Sequence, residues 1–229
     1  DEMVTRVMRG LFAAGVFDDP PPSDPKALTA FVNTTQEKDI ALEAAEGGAV
    51  LLKNSGGALP ISVAGRSLAV IGLPATPVGA QLDYQGGGSS KVPITGTNPD
   101  VIDPLSAISL RAEADGDTVI PAPGLTIADA VAAAKLAKTA VVFIGDGETE
   151  GVDRKTLSAV DSACTLVCLP ALGPNQDALV SAVAAANPNT IVVVQAGGPI
   201  AMPWLTKVKG VLDMWYPGEQ DGNAAAAGL

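Results

Sequence analysis

Histidine is absent from this chain, and that absence removes more chemistry than any other feature of its composition. A serine or cysteine nucleophile activated by an imidazole is excluded, because the base of that arrangement does not exist here. Cysteine is nearly absent too: Cys164 and Cys168 are the only two, which argues against a zinc site. Aromatic residues make up 3% of the 229 residues, so a core must be built from Ala, Val, Leu and Ile. No apolar run approaches the roughly 18 uncharged residues of a membrane span. No basic segment followed by an apolar stretch opens the numbering, so no signal peptide is expected within it. Positive charge is also short, with 14 Lys and Arg against 25 Asp and Glu, a net charge of −11. That balance argues against nucleic acid or an anionic membrane as partner and favours a neutral small molecule.

What is present is apolar: 47% hydrophobic and only 17% charged, enough for a sizeable core. At roughly 150 residues per domain, the length fits one large domain or one domain with appendages. The two cysteines stand four apart in CTLVC, which places both on one face of a helix or closes a small disulfide in a loop. Either a disulfide or two reduced buried thiols satisfies the sequence. Secretion or the periplasm is favoured over the cytoplasm.

Residues 2–17 carry Val4, Val7, Met8, Leu11, Phe12 and Val16 near helical spacing, and DDPPPSDPK then breaks any regular structure. A lone helix before such a linker resembles the end of something upstream. A second helix is expected from Thr35 to Ala45, then the extended AVLLKN. Strands are expected at Leu68–Leu73, Asp117–Ile120, Ala140–Ile144, Thr190–Gln195 and Val208–Trp215. Helices are expected at Pro104–Arg111, Thr126–Ala137 and Asn175–Ala186. Strands that are continuously apolar and alternate with helices imply an α/β fold, a mostly parallel sheet with helices on both faces.

The stretch AVVFIGDGETEGVDR, from Ala140 to Arg154, is the most informative in the chain. A buried strand ends at Gly145 and opens into a loop carrying Asp146, Glu148, Glu150, Asp153 and Arg154. Ligands on open α/β sheets bind beyond the carboxyl ends of strands. Gly147 and Gly151 give that loop an adaptable backbone in front of a rigid strand. Glu150 is the foremost catalytic candidate, with Glu148 its competitor. Asp153 and Arg154, adjacent and facing different ways, suit a role in orienting the loop. The bland alternative is a solvated acidic turn.

The triplet Gly86-Gly87-Gly88 with Ser89 fits no nucleotide loop, because it does not directly follow a strand or open a helix. It reads as a flexible loop, or as a loop lining a sugar pocket through Gly87, Gly88 and Ser89. Lys53 and Asn54 read as structural, with Asn54 fixing a turn. Trp204 and Trp215 read as core anchors ahead of sugar platforms.

Taken in order, AAEGGAVLLKNSGGALPI, SLAVIGLPA, QGGGSSKV, TEGVDRKTL, LPALGPNQDALVSAVAAANPNTIVVVQAGGPIAMPW and VLDMWYPGEQDGNAAAAGL resemble the second domain of glycoside hydrolase family 3. The likeness covers about residues 42–229, and residues 1–17 are similar to the end of that family's preceding barrel domain. It implies three parts: the tail of an upstream barrel at 1–17, a linker and connecting helix at 18–41, and the α/β sandwich domain at 42–229. The fold would be incomplete at both ends relative to the family. The resemblance also implies a retaining exo-β-glycosidase, foremost a β-glucosidase, without cofactor or metal. An aspartate nucleophile would come from the absent N-terminal barrel, as partner domain or separate fragment, and the general acid/base would be Glu150 in its Glu-Gly-x-Asp-Arg motif. The substrate would be a β-linked glycoside. A β-xylosidase, β-N-acetylhexosaminidase or phosphorylase of the same family is the alternative within enzymes. Outside them stands a carbohydrate-contacting or scaffold domain, since the isolated chain would be inactive. The segment SAVDSACTLVC looks inserted beside the Glu150 loop.

Overall fold

In the computed structural model, residues 1–20, 23–24, 33–61, 66–83, 85–89, 91, 97–151, 154, 156–159 and 175–229 are described. Asp153, both cysteines and most of the inserted segment lie outside the described residues. The chain divides into two compact units, Asp1–Glu37 and Lys38–Leu229.

In the first unit, helix α1 (Glu2–Ala13) contains no buried residue. The Arg6 guanidinium pairs with Glu2 one turn back. The Phe12 and Phe17 rings stack at a tilt, with centroids 4.5 Å apart. Thr34 and Glu37 form a reciprocal capping box at the start of α2 (Thr35–Gly48): the Thr34 N–H donates to Glu37 Oε2 at 2.6 Å, and the Glu37 N–H to Thr34 Oγ1 at 3.4 Å.

The second unit is a six-stranded sheet in the order β1-β6-β5-β4-β2-β3. Its strands are β1 (Val50–Asn54), β2 (Ser67–Ile71), β3 (Thr118–Ala122), β4 (Thr139–Gly145), β5 (Thr190–Gln195) and β6 (Gly210–Asp213). All neighbours run parallel except β1, which pairs antiparallel with β6. Every residue of β4 and β5 is buried, which is why both read as unbroken apolar runs.

Alternation along the strands assigns the two faces. Ile71, Val142, Ile144, Val192 and Val194 pack with α5 (Ile127–Leu136) and α6 (Gln176–Ala186). Val70, Val141, Phe143, Val193 and Leu212 pack on the other side with α4 (Pro104–Asp115) and α7 (Asp221–Gly228). Each fully buried Val or Ile contributes roughly 1.5–3 kcal/mol relative to exposure. Alanines on α5, such as Ala130 and Ala134, let that helix lie close to the sheet.

Local signals account for where elements differ from the sequence expectation. Helix α4 continues past Arg111 because Arg111 pairs with Asp115 at 3.0 Å and the stop signal, Gly116 in the left-handed region, comes only afterwards. A short helix, α3 (Pro77–Asp83), has no counterpart among the expected elements; Thr76 starts it by accepting the Gly79 N–H at 3.1 Å. Trp204 is fully buried and donates to Asp177 at 2.8 Å. Trp215 is not the core anchor expected of it: its side chain stays partly outside the core, at 42% exposure, on a residue with φ of 55°. Asn54 fixes a turn, exchanging two hydrogen bonds with Leu59.

Candidate active site

The Asp146–Gly151 loop leaves the carboxyl end of β4, beside the end of its parallel neighbour β5. Gln176, in the first turn of α6, pins that strand end by accepting the Gly145 N–H at 2.9 Å and donating to the Gly145 carbonyl at 2.7 Å. The same amide donates to the Ala159 carbonyl at 2.9 Å. The loop therefore starts from a backbone held from two sides.

Arg154 organises the acidic residues of the loop. Its guanidinium lies with Nη1 2.6 Å from Asp146 Oδ2 and Nε 2.5 Å from Glu148 Oε1, and Nη2 donates to the Pro199 carbonyl. The Arg154 and Asp146 side chains are almost wholly buried. Tyr216, beyond β6, bridges Asp146 and Glu148 through the backbone: its hydroxyl donates to the Asp146 carbonyl at 3.0 Å and accepts the Glu148 N–H at 2.7 Å. Burial pushes Asp146 up to about 6 from its ordinary 3.8, against the pull of the Arg154 charge, and the negative Glu148 adds to the rise.

Glu150 differs from both of these acids: it is exposed. Its Oε2 accepts two hydrogen bonds from Ser89, from the backbone N–H at 2.9 Å and from Oγ at 2.5 Å. Those bonds hold its carboxyl below the usual glutamate range, opposite to the rise that a resting general acid requires.

The glycine triplet is what lets the Ser89 loop lie against Glu148–Glu150. The Gly87 N–H donates to the Glu148 carbonyl at 2.8 Å. A Cβ on Gly86 would stand 2.5 Å from the Tyr216 ring, one on Gly87 2.7 Å from the Thr149 side chain, and one on Gly88 2.8 Å from Glu150 Cβ. Gly86 and Gly88 also have φ of 61° and 109°. Across the site, a Cβ on Gly198 would come within 3.0 Å of the Glu148 carboxylate.

Of the residues singled out in the sequence, Gly87, Gly88, Ser89, Glu148, Glu150 and Arg154 thus converge on one loop cluster. Asp153 lies outside the described residues. Asp146 as the guanidinium's buried partner and Tyr216 as the bridge were not singled out. The available signal for Tyr216 was a tyrosine directly beyond the last strand in an aromatic-poor chain. Among the described residues, no cluster of three or more Asp, Glu, His or Cys is arranged to hold a metal ion.

The sequence is 31% identical over 247 aligned residues to probable beta-glucosidase L of Aspergillus fumigatus, covering 98% of this chain and 32% of that protein. It is 47% identical over 103 residues to beta-glucosidase B of Emericella nidulans, covering 44% of this chain and 11% of that one. The fold matches the crystal structure of DesR, a beta-glucosidase from Streptomyces venezuelae in complex with D-glucose, with a TM-score of 0.69 and 28% identity over 91% of this chain and 37% of that one. The chain spans about a third or less of the length of the two curated relatives. The model of the glycosyl hydrolase family 3 C-terminal domain matches residues 49–229, and the chain belongs to that family.

Proposed function

We propose that this chain supplies the general acid/base, Glu150, to a retaining exo-β-glycosidase, foremost a β-glucosidase. The nucleophile is an aspartate of a partner barrel domain that precedes it. Residues 1–17 are the tail of that barrel, 18–41 the linker and connecting helix, and 42–229 the domain that carries the acid/base loop. The observation that carries this reading is the contrast between two glutamates on one loop. Glu148 is committed to Arg154, whereas Glu150 presents an exposed carboxyl at the carboxyl end of a central strand. The β-glucosidase names of its relatives and the glucose bound to DesR support the sugar class.

The mechanism is double displacement, with the two carboxyls about 5–5.5 Å apart in the assembled site. Glu150 as the neutral acid passes its proton to the glycosidic oxygen while the nucleophile bonds to the anomeric carbon and the leaving alcohol departs. Glu150, now a carboxylate, takes a proton from water as that water attacks the glycosyl-enzyme. The Ser89 hydrogen bonds favour the form needed in the second step. The negative charge of the nucleophile favours the protonated form needed in the first. Arg154, with Asp146 and Tyr216, holds the loop in place without touching the reacting atoms.

The test is azide rescue in the complete enzyme. With an activated aryl glycoside, whose leaving group needs no acid, Glu150→Ala still forms the glycosyl-enzyme but lacks the base for the second step, so the glycosyl-enzyme accumulates. Added azide, which needs no base, releases it as the β-glycosyl azide. A Glu150→Ala enzyme that forms no glycosyl azide and keeps full turnover on a disaccharide overturns the assignment.

A further inference from the structure

An exposed glutamate ordinarily exchanges among several rotamers, and a group that must give and take a proton at one place needs restraint. Two donors of one residue meet Glu150 at a single oxygen: the Ser89 N–H at 2.9 Å and the Ser89 Oγ at 2.5 Å from Oε2. Among the described residues no hydrogen bond engages Oε1. The Ser89 loop is itself fixed, since Gly87 donates to the Glu148 carbonyl and the triplet lies in close approach to Tyr216, Thr149 and Glu150.

We infer that Ser89 is a positioning residue for Glu150, its N–H and hydroxyl clasping Oε2 so that Oε1 is left as the oxygen that exchanges the catalytic proton. This rests on reading Glu150 as the acid/base. In the first step the proton leaves Oε1 for the glycosidic oxygen, and the carboxylate formed keeps both Ser89 bonds. In the second step Oε1 takes a proton from the attacking water and the neutral acid is restored. The other ionisable groups of the cluster are engaged with one another: Asp146 and Glu148 with Arg154, and Tyr216 with Asp146. Within this chain the two Ser89 hydrogen bonds are the main influence on the Glu150 proton, and the charge of the nucleophile acts on it as well in the assembled site.

The experiment compares Ser89→Ala and Ser89→Thr in the complete enzyme, following kcat and KM against pH with a poor leaving group. Losing the hydroxyl removes a bond to the charged form, so Glu150 keeps its proton to higher pH and the basic limb of kcat/KM moves upward. At the optimum kcat falls about fivefold, the worth of one ordinary hydrogen bond, while KM holds within about twofold. Ser89→Thr, which keeps the hydroxyl, returns the limb to its parental position. A role in folding alone would lower activity without moving the limb, and a stationary limb in Ser89→Ala overturns the inference. Glu150→Gln, measured alongside, tests the underlying reading separately. If that variant keeps full turnover, Glu150 is not the acid/base and the mechanistic role of Ser89 falls with it. The clasp itself is then judged by carbon-13 titration of the Glu150 carboxyl: an unchanged curve in Ser89→Ala contradicts it, and an upward move upholds the contact.

Discussion

Arg154 and Asp146 form an ion pair at 2.6 Å in which 4% and 0% of the two side chains are exposed. The same guanidinium reaches Glu148 and the Pro199 carbonyl, so one side chain joins the acidic loop to the loop beyond β5. Removing one partner of a buried pair leaves a charge without compensation and typically costs about 3–5 kcal/mol. Arg154→Ala should lower unfolding free energy by that order in a denaturant titration at pH 7. Arg154→Lys should recover only part of it, because an ammonium cannot span three acceptors in a plane. Equal stability of Arg154→Ala and the parent would show the pair to be ornamental.

Asp146 gives that pair a pH signature. Its folded value, about 6, lies above the ordinary 3.8, so between those limits the folded state binds more protons than the unfolded one. Stability from this group is thus present in full below about pH 4 and lost as pH rises to about 6. Asp146→Asn has no such titration. Subtracting its stability profile from the parent's should isolate a fall confined to that window, and a flat difference contradicts the sign.

Gly88 sets how near the Ser89 loop can come. A methyl there meets Glu150 Cβ at 2.8 Å on a residue with φ of 109°. Gly88→Ala should cost on the order of 1–3 kcal/mol in stability. It should also depress kcat more than Gly116→Ala, whose Cβ would enter open space at a helix end. Similar kcat values for the two variants would separate the close approach from catalysis.

Tyr216 offers a milder probe. Tyr216→Phe keeps the ring against Gly86 but withdraws the hydroxyl that accepts from Glu148 and donates to Asp146. A loss of about 1–3 kcal/mol is expected, because a partly buried N–H is left without its acceptor. Thermal unfolding of the two proteins at equal pH measures it.

The sequence displayed the scaffold better than the site. Strands β4 and β5 were legible because both faces of each are buried, and a run such as TIVVVQ has no other economical use. Strand β1 was legible as extended, but its antiparallel pairing with β6 is a property of two distant segments that neither announces. Trp204 and Trp215 look alike in sequence, yet only the first reaches the interior. At the site, Glu150 and the glycine triplet could be picked out separately by motif and composition. Their contact could not, nor could the joining of Asp146, Glu148 and Pro199 by Arg154, because these groups come from different strand ends and meet only after the sheet has formed. The direction of the Glu150 shift was hidden for the same reason: it depends on Ser89, a contact 61 residues away in sequence.

The central claim, that Glu150 and not Glu148 moves the proton, is tested most directly by the leaving group. Glu150→Ala and Glu148→Ala should be assayed in the complete enzyme on a disaccharide and on an activated aryl glycoside, following the glycosylation step by kcat/KM. An activated aryl group departs without a proton, whereas a sugar alcohol requires one, and general acid catalysis contributes about 10²–10⁴-fold. Glu150→Ala should lose about that factor on the disaccharide and far less on the aryl glycoside, while Glu148→Ala loses similar factors on both. Equal losses for Glu150→Ala on the two substrates, with the divergence appearing in Glu148→Ala, would contradict the account.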